Sequence, residues 1–130
     1  MRITNVRELH VYGVAYEAAL HIFALSSAWP AEERYALTDQ VRRSSRPVCA
    51  NIAEAWAKRN YPRHFVSKPT DALAESDEAG VWLDFAHAHG YLTEDTPARL
   101  RASYRSVASG LVRMSRHPGQ WRVPPPPSGA

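Results

Sequence analysis

Apolar residues recur every three or four positions along most of the chain, and this spacing constrains the fold more than any other feature. The clearest series is Leu100, Tyr104, Val107, Leu111 and Met114. Such spacing puts the apolar side chains on one face of an α-helix, whereas a half-buried strand needs strict alternation. No convincing alternation occurs, so the sequence predicts an all-α fold.

Prolines and glycines divide this pattern into four predicted helices. They are expected from about 6 to 28, from 30 or 31 to about 59, up to 88 for the third, and from just after Thr93 or at Pro97 to about 117 for the fourth. Pro47 predicts a kink in the second helix, because proline removes a backbone donor and clashes with the preceding turn. Pro69 either kinks the third helix or lies in its first turn. Asn5 is expected to cap the first helix, and Gly90 to end the third.

Short connections between four helices are typical of an antiparallel, up-down-up-down four-helix bundle. Residues 1–118 are expected to form this one domain. Residues 119–130 include four successive prolines and are predicted to be a disordered, proline-rich tail. The predicted core is Leu9, Tyr16, Leu20, Phe23, Leu37, Val41, Val48, Ile52, Phe65, Leu73, Leu83, Phe85, Leu100, Val107, Leu111 and Met114.

Cysteine content and the absence of long apolar segments bear on the cellular compartment. Cys49 is the single cysteine in 130 residues, which excludes an internal disulfide and is typical of a reducing compartment. No run of roughly 18 apolar residues is present, and the first residues lack the apolar core of a secretory signal. We therefore expect a cytoplasmic protein without a membrane-spanning segment.

Charge is distributed in blocks, although the net charge is only +3. Residues 34–68 and 99–122 are strongly basic, whereas 71–95 contain acidic residues and no lysine or arginine. Alternating blocks can pair basic helices with an acidic one, within a subunit or between subunits. They can also leave a basic face free for a polyanion.

The sequence contains no complete catalytic or metal-binding motif. A di-metal site in a helix bundle needs Glu-x-x-His pairs on two helices, and Asp84 with His87 is a single imperfect match. Cys49 lies between small apolar residues, as an inert core cysteine does. No glycine-rich phosphate loop is present. We therefore predict no catalytic residues, no metal, no cofactor and no enzymatic activity.

The second basic feature is a series of arginines and lysines with aromatic residues between them. The candidate nucleic-acid contacts are Arg42, Arg43, Arg46, Lys58, Arg59 and Arg63. Cationic and aromatic groups together can contact phosphates and stack on unpaired bases. The alternative is a solvated helix face or salt bridges to residues 71–95. Asn51 and Glu54 interrupt an apolar stripe, and we interpret them as structural residues that fix helix register.

Several of these segments resemble a known family. They are 33–40 (ERYALTDQ), Arg42-Arg43, 51–55 (NIAEA) and 82–86 (WLDFA). Together they resemble the four-helix bundle proteins encoded in intervening sequences of bacterial 23S rRNA genes, over roughly residues 5–116. The chain is also similar to the accessory variability proteins of diversity-generating retroelements.

The resemblance implies an antiparallel bundle that assembles as a cyclic homopentamer and has no enzymatic activity. It also implies a basic surface for RNA or DNA and a protein partner such as a reverse transcriptase. By the matching motif, Arg42 and Arg43 are candidate polyanion contacts, and Asn51 and Glu54 are structural. The leading prediction is therefore an oligomeric accessory protein that binds nucleic acid. The alternative is a protein-interaction scaffold without nucleic-acid binding.

Overall fold

The computed structural model describes residues 3–117, except for the side chains of Pro62 and His64, and it is built from four long helices. They are α1 (His10–Ser26), α2 (Asp39–Ala57), α3 (Pro62–Ala88) and α4 (Thr96–Arg116). Two 3₁₀ turns, Val6–Glu8 and Ala31–Glu33, and a π-helical turn, Arg34–Thr38, complete the helical segments. The described residues contain no strand, so the all-α prediction is confirmed.

The helices pack side by side around one apolar core. α1 packs mainly against α2 and α4, and α3 also packs against α2 and α4. α1 and α3 therefore lie across the molecule from each other. Contacts between consecutive helices join the end of one to the start of the next: Arg42 of α2 bonds Ser26 of α1, and Lys68 of α3 pairs with Glu54 of α2.

The first predicted helix, about 6–28, is wrong at its start, whereas α1 ends at Ser26, close to the predicted end. Asn5 does accept a hydrogen bond from the Arg7 amide at 2.9 Å, but this caps a 3₁₀ turn. Leu9 then has an extended backbone conformation (ψ 128°), and α1 begins only at His10. The apolar spacing runs across this break because the side chain of Leu9 is still buried.

The second predicted helix is interrupted at its start. A 3₁₀ turn and the π-helical turn Arg34–Thr38 precede α2, which ends at Ala57. π-Helical turns are rare, and nothing in the apolar spacing distinguishes one from the first turn of an α-helix. α2 continues through Pro47. The predicted kink there stays a prediction.

α3 resolves the two alternatives for Pro69. The helix begins with Pro62 in its first turn, where a missing backbone donor has no cost, and it contains Pro69 as a buried residue. The placement of Pro69 in the first turn is therefore wrong. At the other end Gly90 has φ 81°, and the Tyr91 amide donates to the Ala86 carbonyl at 2.8 Å. These features form a Schellman motif, which confirms Gly90 as the end signal.

Most of the predicted core is buried, and α4 follows the prediction most closely. The buried members are Leu9, Leu37, Val41, Val48, Ile52, Phe65, Leu83, Leu100, Val107, Leu111 and Met114, while Leu73 is half-buried. Four predicted core residues are wrong, because Tyr16, Leu20, Phe23 and Phe85 are 45–49% exposed.

The error on α1 has a physical cause in close helix packing. α1 buries its smaller apolar stripe, Val11, Ala15, Ala18 and Ile22. Gly110 of α4 approaches this stripe so closely that a Cβ atom there would lie 3.0 Å from Cγ2 of Val11. Such a close approach requires small residues, so the larger stripe faces outward.

The ends of the chain lie outside the described residues. They include the predicted proline-rich tail, 119–130, and the last residue of the predicted domain. α4 ends at Arg116, close to the predicted end of the fourth helix. Within the described part, no helix combines the length and apolar content needed to cross a membrane.

Candidate interaction surfaces

The six candidate nucleic-acid contacts form two groups rather than one continuous patch. Arg42, Arg43 and Arg46 lie near the start of α2, and the other three lie at the α2–α3 connection. Twelve positions separate Arg46 from Lys58, which corresponds to about 18 Å along a helix axis. A ligand must be long to contact both groups.

Arg42 is engaged within the protein itself. Its Nε donates to Ser26 Oγ at 2.9 Å, and its Nη2 donates to Ser27 Oγ and to the Phe23 carbonyl at 3.2 and 3.3 Å. The guanidinium also lies 4.3 Å from the centre of the Phe23 ring. A cation at the end of a helix interacts favourably with the helix dipole. Arg42 therefore links the end of α1 to α2, and most of its N–H donors are used in these hydrogen bonds.

Its neighbours on α2 are more available. Arg43 is exposed, and no partner is found for its side chain among the described residues. Arg46 is also exposed and lies over the Phe23 ring at 5.3 Å, which leaves its N–H donors free. Arg42 and Arg43 are adjacent in sequence, but they differ in what they can bind.

The group at the α2–α3 connection also contains one arginine that is bonded within the protein and two side chains that are exposed. Arg59 donates from Nη1 to the Trp56 carbonyl at 2.8 Å and stacks over the Trp56 ring at 4.1 Å. It therefore closes the end of α2. Lys58 and Arg63 are exposed to solvent.

α4 carries arginines that are absent from the predicted site. The exposed ones are Arg99, Arg101, Arg105, Arg113 and Arg116. The signal was present in the sequence, because residues 99–122 contain arginines and no acidic residue. What the sequence did not show is that these arginines form no ion pair with any described residue.

The charge blocks are hardly paired inside the protein. Among the described residues, both ion pairs involve Lys68, whose Nζ lies 2.9 Å from Glu54 and 3.8 Å from Asp71. Arg101 and Arg105 share a groove with Asp77 and Asp84, but no ion pair forms there. Within the described part, pairing inside one subunit therefore does not account for the basic residues.

The pair between Glu54 and Lys68 explains part of the predicted structural motif. Its hydrogen bond lowers the pKa of Glu54 and raises that of Lys68, and it links α2 to α3. Asn51 is half-buried on the same helix. The structural role predicted for these two residues stays a prediction.

The exposed stripe of α1 lines an apolar groove of about 540 Å³, which we call the α1–α2 groove. Its lining residues are Tyr12, Tyr16, Ala19, Leu20, Phe23, Arg46, Cys49, Ala50 and Ala53. The rings of Tyr12 and Tyr16 stack with centroids 6.0 Å apart. Scattered exposed apolar residues are common, whereas these residues line one groove, which is therefore a candidate interaction surface.

A second exposed stripe lies on α3, which we call the outer seam of α3. It consists of Glu78, Val81 and Phe85, with Val81 and Phe85 47% and 48% exposed. Glu75 lies beside it, and its pKa is raised by partial burial and by the charges of Glu78 and Asp71. The outer seam therefore combines two exposed apolar side chains with Glu78, which forms no ion pair among the described residues.

The chemistry available in the described residues is limited. No group of three or more His, Cys, Asp or Glu side chains is arranged to hold a metal. Burial raises the pKa of the Cys49 thiol to about 11, so it stays protonated near neutral pH. A protonated thiol is a poor nucleophile. Nothing in the described part points to catalysis.

Comparisons with known proteins agree with the fold. The model of the 23S rRNA-intervening sequence protein family matches residues 7–113. A crystal structure from Bacteroides thetaiotaomicron VPI-5482, of a protein with unknown function from the S23 ribosomal protein family, superposes with a TM-score of 0.72. It shares 23% sequence identity, and the match covers 82% of this chain and 95% of that one. None of the curated proteins matches the sequence.

Proposed function

The chain belongs to the 23S rRNA-intervening sequence protein family, and from that premise we propose that it is a non-enzymatic accessory protein that assembles with itself and binds nucleic acid. In this proposal the four helices form an antiparallel bundle, and the assembly is a cyclic homopentamer. Two basic surfaces serve binding in this proposal, one formed by the exposed arginines of α2 and one by those of α4 across the subunit.

One observation carries the nucleic-acid part of the proposal. The ion pairs among the described residues both use Lys68, so the exposed arginines of α2 and α4 keep their charge unneutralised. Unpaired arginines attract phosphate, and binding releases the counterions condensed on the nucleic acid. Arg43 represents the surface on α2, and Arg105 and Arg113 represent the surface on α4, because all three are exposed. Arg42 and Arg59 hold helix ends in place.

Fluorescence anisotropy of labelled structured RNA and duplex DNA tests the proposal. We expect binding whose affinity falls steeply as salt rises, because each phosphate contact adds to the salt dependence. Arg43→Glu combined with Arg105→Glu should weaken binding by about tenfold or more and reduce the salt slope. Arg42 stays unchanged in this variant, so the link between α1 and α2 is kept.

Arg7→Glu combined with Arg34→Glu is the matched control, because it changes the net charge equally at exposed residues outside α2 and α4. It should retain most of the affinity. Equal losses in both variants would contradict the placement of the surface. Absence of binding at low salt would contradict nucleic-acid binding altogether.

A second candidate function is a protein scaffold without nucleic-acid binding, and the α1–α2 groove favours it. An open apolar groove with exposed Tyr16, Leu20 and Phe23 suits a protein partner better than a polyanion. In that case the arginines serve in contacts between proteins.

Light scattering after gel filtration measures the assembly, and the proposed pentamer has five times the chain mass of 14.6 kDa. A reverse transcriptase partner stays a prediction.

A further inference from the structure

We propose that the α1–α2 groove of one copy binds the outer seam of α3 of a second copy. This inference rests on the self-association proposed above and names the two surfaces that form it. The occupant of the groove is therefore another molecule of the same chain, and each interface contains two different faces.

Both faces present exposed apolar side chains at helical spacing. On α1 these are Tyr16, Leu20 and Phe23, spaced by four and three residues, and on α3 they are Val81 and Phe85, four residues apart, with Glu78 three residues before Val81. Side chains at these spacings form ridges that fit into the grooves of a facing helix. The α1 residues line an open groove of about 540 Å³.

The two faces also carry opposite charge. Arg46 lies at the rim of the groove, held over the Phe23 ring, and no carboxylate pairs with it among the described residues. Glu78 lies in the outer seam of α3, where no basic side chain in the described part pairs with it. Partial burial raises the pKa of the neighbouring Glu75, and the charge of Glu78 raises it further. Complementary charges steer association and fix its register.

The positions of the faces determine the kind of assembly. α1 and α3 lie across the molecule, each packed between α2 and α4. One copy therefore presents the groove on one side and the outer seam on the other. Contacts between unlike faces join copies head to tail, and they generate a closed ring when the rotation between copies closes.

Exchange of the two charges tests the pairing. We expect Arg46→Glu alone and Glu78→Arg alone each to raise the concentration needed for half-assembly by about tenfold or more, since like charges then meet across the interface. The variant with both substitutions should assemble again, because the charges are exchanged rather than lost. Sedimentation velocity over a range of protein concentrations measures all three.

The design separates assembly from folding. Glu78→Arg removes a repulsion with Glu75, so the isolated subunit should not be destabilised, and thermal unfolding followed by circular dichroism checks this. The matched controls are Arg113→Glu and Glu94→Arg, at exposed residues outside both faces. Both controls should assemble as the wild-type chain does.

Mixing the two single variants gives a second readout. At concentrations where neither variant assembles alone, alternating copies place opposite charges at each interface, so the mixture should associate. A five-membered ring cannot alternate throughout, so the expected products are pairs and short open chains of alternating copies.

The possible failures are distinguishable. A wild-type chain that is monomeric at every concentration overturns the proposed self-association and this pairing with it. A wild-type assembly that the single exchanges leave intact, or that the double exchange does not restore, overturns the pairing alone. So does a mixture of the two single variants that shows no association beyond that of each variant alone.

Discussion

α1 and α4 carry similar apolar patterns but use them differently. On α4 the apolar series faces the core, and Leu100 and Leu111 are 2% and 1% exposed. On α1 the series with the larger side chains faces outward, and Leu20 is 49% exposed. The core takes the smaller stripe of α1 instead. When a helix has two apolar stripes, the packing of the neighbouring helices therefore determines which stripe is buried.

The difference separates two uses of apolar surface. Small residues on α1 allow α4 to approach closely at Gly110, and this close contact is part of the subunit itself. Large residues on α1 remain for a contact outside the subunit. From side-chain size alone, the larger residues of α1 would be expected in the core and the smaller ones on the surface.

The largest expected effect compares the same substitution on the two helices. Leu111→Ala should lower the free energy of unfolding by about 2–5 kcal/mol, because it leaves a cavity in the core. Leu20→Ala should cost less than about 1 kcal/mol, because the side chain is already half in water. Urea unfolding of dilute protein measures both. Equal losses would show that the outer stripe of α1 is packed as firmly as the core.

A smaller effect is expected where α1 and α4 touch. Gly110→Ala gains up to about 1 kcal/mol of helix propensity, but its Cβ meets the stiff side chain of Val11, and overpacking costs about 1–3 kcal/mol. We expect a net loss of about 1 kcal/mol. In a Val11→Ala background the same change should cost less. A double-mutant cycle from unfolding curves gives the coupling, and additive losses would contradict the close contact.

Two adjacent arginines sharpen the comparison at the end of α1. Arg42→Ala should cost about 1 kcal/mol of unfolding free energy, because it removes hydrogen bonds to Ser26, Ser27 and Phe23. Arg43→Ala should stay within about 0.5 kcal/mol of the wild type, as an exposed substitution without partners does. Thermal unfolding compares the two. A larger loss for Arg43 would contradict the assignment of Arg42 as the structural residue.

The smallest effect concerns the acidic outer side of α3. Glu75 has a raised pKa in the folded protein, so its charge destabilises the fold above that pKa and has no effect well below the ordinary value of 4.5. Glu75→Gln should therefore add about 0.5 kcal/mol or less at pH 7, and the gain should vanish as the pH falls below 4.5.

Glu54→Gln is the matched control for that experiment, because Lys68 lowers the pKa of Glu54. Loss of this pair should destabilise the protein at pH 7, and the difference should disappear as acid protonates Glu54. Unfolding curves at several pH values measure the expected gain in stability from Glu75→Gln and the expected loss from Glu54→Gln. A gain from Glu75→Gln that persists in acid would show that its cause is independent of the ionisation of Glu75.

Local signals in the sequence were enough for much of the fold. The apolar series of α4 and the end signal at Gly90 each depend on residues within a few turns, and both were confirmed. The orientation of α1 depends instead on Gly110, a residue at the other end of the chain. The break at Leu9 was hidden because a buried residue kept the apolar spacing across it.

The candidate surface was harder to predict than the fold. Arg42 and Arg43 are equivalent in composition and local pattern, and only the position of the end of α1 separates a structural arginine from an exposed one. The arginines of α4 were visible as a basic block, yet their availability depends on the absence of ion pairs with α3. The sequence shows which residues are charged, whereas the ion pairs that they form depend on how the helices pack.

The π-helical turn at Arg34–Thr38 has a consequence for how the chain tolerates insertions and deletions. A π turn holds one more residue than an α turn, and one residue corresponds to about 100° of helix rotation. Deleting a single residue there would convert the turn to an ordinary α-helix without a gap. It would also rotate Glu33 away from the Tyr91 hydroxyl, which now donates to it at 3.0 Å. The extra residue therefore sets the rotation of Glu33 about the axis of α2, and with it the hydrogen bond that Glu33 accepts from Tyr91 in the connection that follows α3.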